Sequence, residues 1–148
     1  MMITVESTPE RPVPGVTILA VLVLALVIPS ALFAGSPTSM LIRQDLPDLP
    51  GKVATVLTVQ YAPGTASDAH QHPGSVFAYV LEGAVVSQLE GEKPVTYTAG
   101  QSWYEPPGQA HVVLRNASRE ETAKILVFIL TQEGEELKSP VKLSDVGK

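Results

Sequence analysis

From Lys52 to Leu130 the chain is cut by glycine and proline into apolar runs of four to nine residues, and this punctuation limits the fold more than any other feature. The runs are "VATVLTVQY" (53–61), "VFAYVLEG" (76–83), "AVVSQLEG" (84–91), "VTYT" (95–98), "QSWYEPPG" (101–108), "AHVVLRN" (110–116) and "AKILVFIL" (123–130). Each is rich in β-branched or aromatic residues and ends at a turn signal such as Pro63-Gly64, Gly83 or Ala99-Gly100. Short strands at roughly ten-residue intervals predict an all-β sandwich or barrel. No run beyond residue 35 keeps a 3.6-residue apolar period, so helices are not expected there.

The flanks read differently. Val16 to Gly35 contains twenty residues without a charge, which at about 1.5 Å per residue nearly matches a ~30 Å hydrocarbon core. Residues 1–35 are therefore expected to be built around a hydrophobic helix over 16–35, either a cleaved signal with Pro29-Ser30 before a site near Ala34, or a retained membrane anchor; a buried soluble helix is the third alternative. Either of the first two places the remainder outside the cytoplasm, periplasmic or secreted, and any membrane contact would run through residues 16–35. Residues 36–51 read as a linker with one short strand at Met40–Arg43, 52–131 as the β-domain, and 132–148 as a polar, peripheral tail.

The length of 148 residues suits one domain, and a net charge of −5 with no basic, aromatic-interleaved patch argues against nucleic acid as a partner. The absence of cysteine removes disulfides, thiolate metal sites and a cysteine nucleophile.

The chain has three histidines, all in turn-flanked β contexts. His70 and His72 stand at i and i+2, which on a strand puts both rings on one face about 6 to 7 Å apart, with Gln71 facing the other way. His111 follows "PPG" and opens another β run. Two imidazoles from one strand and a third from a later one form a reasonable three-nitrogen face for a divalent ion. Satisfied core or surface histidines are the plain alternative.

The spacing resembles the cupin superfamily over about residues 52–130. Gly64, His70, His72 and Gly83 stand where the first cupin motif has glycine, His-x-His and glycine. Gly100, Pro106, Gly108 and His111 match the second motif, with Asn116 one residue late. The resemblance implies a small jelly-roll barrel with metal ligands pointing inward, and a homodimer. It also exposes a departure: the motif's glutamate would fall at residue 76 or 77, which are valine and phenylalanine. The remaining ligand set looks like the three-His subset, similar to cysteine dioxygenase and acetylacetone dioxygenase.

Three neutral imidazoles would leave the charge of Fe, Mn, Ni, Cu or Zn uncompensated and favour a small anionic organic substrate. Val76, Phe77, Tyr79, Trp103 and Tyr104 are candidate pocket residues. Glu82 and Glu105 flank turns and are expected to be solvated, with hydrogen bonding to a ligand histidine as the alternative. Two functional classes follow: a dioxygenase-like metalloenzyme, or a non-catalytic module binding a metal or small ligand. A metal-free barrel is the third reading.

Overall fold

The computed structural model describes residues 36–141, which all lie in one compact unit of the chain. The expected hydrophobic helix of residues 1–35 and the end of the tail, 142–148, lie outside the described residues. Among the described residues there is no helix, and none long and apolar enough to cross a membrane.

The described residues form eleven strands: β1 (Thr38–Asp45), β2 (Lys52–Tyr61), β3 (Ala66–Ser67), β4 (His70–Gln71), β5 (Ser75–Glu82), β6 (Ala84–Leu89), β7 (Val95–Thr98), β8 (Ser102–Glu105), β9 (Ala110–Asn116), β10 (Ala123–Gln132) and β11 (Ser139–Pro140). They form two antiparallel sheets. The five-stranded sheet runs β1-β2-β10-β5-β8; the six-stranded sheet runs β11-β4-β9-β6-β7, with β3 also paired to β9. Two facing sheets with this crossing connectivity are a jelly roll, the all-β fold that the punctuated apolar runs predict.

Alternation sets which face each strand buries. In β10, Ala123, Ile125, Val127, Ile129 and Thr131 are buried, while the residues between them are partly exposed. In β5, Val76, Ala78 and Val80 point inward and Phe77, Tyr79 and Leu81 outward. The inward residues meet Leu57, Val85, Trp103 and Leu114 in one apolar core. Each large side chain buried there contributes about 1.5–3 kcal/mol.

Two of the crossings between the sheets are made at glycines in close contact with backbone. Gly83 joins β5 to β6 at φ 68°, and a Cβ there would lie 2.6 Å from the Thr122 carbonyl oxygen. Gly74 precedes β5, and its Cβ would sit 1.8 Å from the Leu130 oxygen. Any side chain at either position would push into backbone.

Two expectations are corrected. The linker of residues 36–51 holds a full strand, β1, paired along β2 with a bulge between Met40 and Ile42. The expected peripheral tail of residues 132–148 contributes β11, hydrogen-bonded to β4, and packs Leu137 against the core. Two-residue strands carry no periodicity, so β3, β4 and β11 have no pattern to read.

Candidate functional site

A cavity of about 440 Å³ lies between the sheets. Leu57, Val76, Val127 and Ile129 form part of its apolar wall, while His70, His72, Glu105, Tyr61 and Ser67 give it polar groups.

His70 and His72 are both buried, with rings edge to face at 5.0 Å between centroids. Strand β4 ends at Gln71, so His72 lies just beyond it. Antiparallel pairing sets His70 directly opposite His111 on β9, with ring centroids 5.3 Å apart. The three histidines separated in sequence are therefore brought together.

Their hydrogen bonds define which nitrogens are free. His70 Nδ1 is 2.7 Å from the Asp68 carbonyl oxygen, and His72 Nδ1 is 2.6 Å from that of Leu137. A carbonyl only accepts, so each Nδ1 carries the proton and donates. In the neutral rings Nε2 then presents a bare lone pair, the form that binds a cation. Burial disfavours the charged ring of His70 and pushes its pKa down to about 4. His111 is bound differently: Nε2 shares a hydrogen bond with Ser87 Oγ at 2.9 Å, and the residue is 1% exposed, behind the cavity lining.

Glu105 is not solvated as expected. It is 3% exposed and lines the cavity. Its Oε1 accepts from Trp103 Nε1 at 2.8 Å and lies 3.1 Å from His111 Nδ1, out of line for a directed hydrogen bond. Its Oε2 has no hydrogen-bond partner and stands 3.7 Å from His72 Nε2. Burial alone would raise its pKa, but His111, the Trp103 N–H and His72 outweigh that, so the carboxyl is held below its ordinary value. The signal was present in "SWYE": two residues after an inward tryptophan, a strand residue must also face inward.

Of the expected pocket residues, Val76 and Trp103 do line the cavity. Phe77, Tyr79 and Tyr104 are 51%, 43% and 45% exposed on the outer face of the five-stranded sheet. The strand period puts them there, one residue out of phase with Val76, Ala78 and Trp103. Glu82 is exposed, as expected. Tyr61, unremarked in the sequence, reaches the cavity with its hydroxyl 2.9 Å from Ser67 Oγ, and burial pushes its pKa up to about 12. Asn116 ties down a turn, donating to the carbonyls of Tyr61, Ala62 and Glu121.

Among the described residues no three His, Asp or Glu side chains stand ready around a common point for a metal ion. The chemistry of the donors nevertheless fits one. Two bare Nε2 lone pairs face a cavity beside a buried carboxylate oxygen and a histidine nitrogen that both lack hydrogen-bond partners.

A family model described as the cupin domain matches residues 57–129. No curated protein sequence matches the chain. Among solved structures, a cupin-like protein from Thermotoga maritima is 22% identical, covering 70% of this chain and 74% of its own, with a TM-score of 0.56. The DMSP lyase DddQ from Ruegeria pomeroyi is also 22% identical, with a TM-score of 0.53 over 60% of this chain and 43% of its own. An oxalate oxidase in complex with the substrate analogue glycolate is 18% identical, covering 68% and 57%, with a TM-score of 0.51. The chain thus spans less than half the length of the DMSP lyases it matches.

Proposed function

This chain belongs to the cupin superfamily, and from that premise we propose that it binds a divalent metal ion at His70, His72 and His111 and presents it to a small anionic organic ligand. The observation that carries the reading is the pair of inward Nε2 lone pairs on His70 and His72, each fixed by a backbone acceptor behind the ring. Such acceptors set the tautomer and hold the imidazole against rotation. His111 stands opposite His70 as the third nitrogen, and loading requires the three rings to draw together around the ion.

A bound ion would act as a Lewis acid on an oxygen of the ligand. The chain's own residues supply the rest. The apolar wall excludes water from the ligand's body, and the Tyr61 hydroxyl, held protonated, offers a hydrogen bond from the cavity wall. Metal identity is not fixed by ligands of this kind.

Enzymatic turnover of dioxygenase type and non-catalytic binding both remain readings of this site. Fold does not choose between them. Dioxygen consumption by iron-loaded protein across small acids, diketones and phenols separates the two. Export through the apolar run of residues 16–35 is a further part of the proposal, as is a homodimer. The outer face of the five-stranded sheet supports the homodimer: Ile42, Val56, Phe128, Phe77 and Tyr104 align across it in register.

The test is elemental analysis of the purified full-length protein beside a His70→Ala, His72→Ala, His111→Ala variant. Near-stoichiometric metal that disappears in the variant is the expected result. A wild-type protein that is empty and refuses added metal overturns the proposal.

A further inference from the structure

We infer that Glu105 is a direct ligand of the same ion, supplying from β8 the carboxylate that the chain lacks at residue 76. The inference rests on the metal-binding reading above and adds to it a residue, a charge and a second sheet.

The register places it. Val76 on β5 is paired with Glu105 on β8, so the two side chains are neighbours on the inner face of the five-stranded sheet. A carboxylate absent from one strand is thus restored from the adjacent one, at the same level of the cavity. It faces nitrogens that come from the other sheet, on β4 and β9, or just past it at His72.

The distances fit shared coordination. Donor atoms bound side by side to one ion at about 2.1 Å stand roughly 3.0 to 3.5 Å apart, from octahedral to tetrahedral angles. Glu105 Oε1 is 3.1 Å from His111 Nδ1, and Oε2 is 3.7 Å from His72 Nε2. The first separation already lies in that range, and the second needs a shift of a few tenths of an ångström.

The simpler explanation leaves one oxygen over. A glutamate placed only to orient His111 accounts for Oε1, 3.1 Å from Nδ1, but gives Oε2 no role. Here Oε1 is taken by Trp103, while Oε2 is buried and unpartnered. The neutral His72 ring cannot serve it from Nε2, because its proton is on Nδ1, donated to the Leu137 carbonyl. A buried carboxylate oxygen facing a bare imidazole lone pair is two acceptors turned on each other, an arrangement that costs free energy unless a proton or a metal ion lies between them.

The consequence concerns charge. Three imidazoles alone would leave a divalent ion with its full charge, whereas with Glu105 the assembled site carries one positive charge. The ligand class narrows to a monoanion with an apolar body, matched to the wall of Leu57, Val76, Val127 and Ile129.

The experiment titrates chelator-stripped full-length protein with Co(II), following affinity by calorimetry and coordination by visible absorption. Wild type, Glu105→Gln, Trp103→Phe and His70→Ala are compared. Glu105→Gln should bind more than about 100-fold more weakly, beyond the roughly 10- to 100-fold loss usual for an outer hydrogen-bond partner, with a changed absorption envelope. Trp103→Phe, which removes only the hydrogen bond to Oε1, should lose roughly 10- to 100-fold, as for an outer partner, and keep the wild-type absorption envelope. Wild-type affinity and absorption in Glu105→Gln, with binding abolished in His70→Ala, would overturn the inference and leave the metal site standing. Weaker binding with an unchanged envelope would overturn it too, reducing Glu105 to a positioning residue. A wild type that takes no Co(II) removes both readings. Should Glu105→Gln fail to fold, infrared difference spectra of wild type on Co(II) loading decide the matter: a shifted carboxylate band supports ligation, and its absence ends it.

Discussion

The two sheets are built on different terms. The five-stranded sheet contains the ten-residue strands β2 and β10 and the eight-residue strand β5, paired without interruption over most of their length. The six-stranded sheet includes three two-residue strands, and one of them carries His70. The long strands make a wall by burying every second side chain. The fragments place imidazoles by single hydrogen bonds to the carbonyls of Asp68 and Leu137. The longest strands lie in the regular sheet and the three histidines on or beside the fragmentary one, with Glu105 the regular sheet's one charged group among the buried residues.

The sharpest way to break that contrast is to weaken one sheet at a time. Ile129 is 2% exposed on β10 and lines the cavity. Ile129→Ala should cost about 4 kcal/mol, from lost apolar burial and the enlarged void. Ending the chain after Leu137 removes β11 but keeps the residue whose carbonyl holds His72, and should cost only about 1 kcal/mol. Urea denaturation followed by circular dichroism measures both. Equal costs would mean that the fragments hold the fold as firmly as the long strands.

Legibility in the sequence divides along the same line. "AKILVFIL" and "VATVLTVQY" announce their strands through β-branched density and turn boundaries, and both appear within two residues of the expected ends. The resemblance points to residues 76 and 77 as wall positions, and alternation admits only Val76 of the two. The polar tips of Tyr79, Trp103 and Tyr104 suggest all three for the pocket, yet alternation turns both tyrosines outward and only Trp103 in. The histidine cluster was legible as spacing. Its supports were not: the Leu137 carbonyl lies 65 positions from His72 and has no side-chain signature. Glu105 is harder to read, because the proline and glycine after it signal an exposed turn while only its place two residues after Trp103 signals burial.

A smaller effect, about 3 kcal/mol, separates the sheets by pH. In the metal-free protein, burial lowers the His70 pKa from 6.5 to about 4. The folded state therefore holds fewer protons than the unfolded chain between those values. Stability from this group is complete above pH 6.5 and is lost as pH falls toward 4, on the order of 3 kcal/mol from the width of that window. Glu105, also lowered, acts in the same direction, its contribution fading as pH falls below its ordinary 4.5. Urea midpoints between pH 7 and 4 should fall steeply for wild type and less steeply for His70→Asn. Parallel slopes would show that His70 is not the group being protonated.

The smallest expected effect on the folded chain lies on the outer face of the regular sheet. Phe77 contacts Tyr104 and Phe128, with ring centroids 5.0 and 6.1 Å apart, yet Phe77 and Tyr104 are each about half exposed. Replacing an exposed aromatic with serine removes little burial, so Phe77→Ser and Tyr104→Ser should each change monomer stability by no more than about 1 kcal/mol. Association should respond far more, because a row from Ile42 to Tyr104 offers a second copy a continuous apolar strip, and large aromatics desolvated in an interface dominate its energy. Sedimentation velocity should find a dimer for wild type and a monomer for the double variant at the same concentration. A monomeric wild type would return the strip to ordinary surface, and a dimer untouched by both substitutions would move the interface to another face. Either result would leave the inner wall of the same strands unaffected, because alternation gives β5 two faces that can be altered independently.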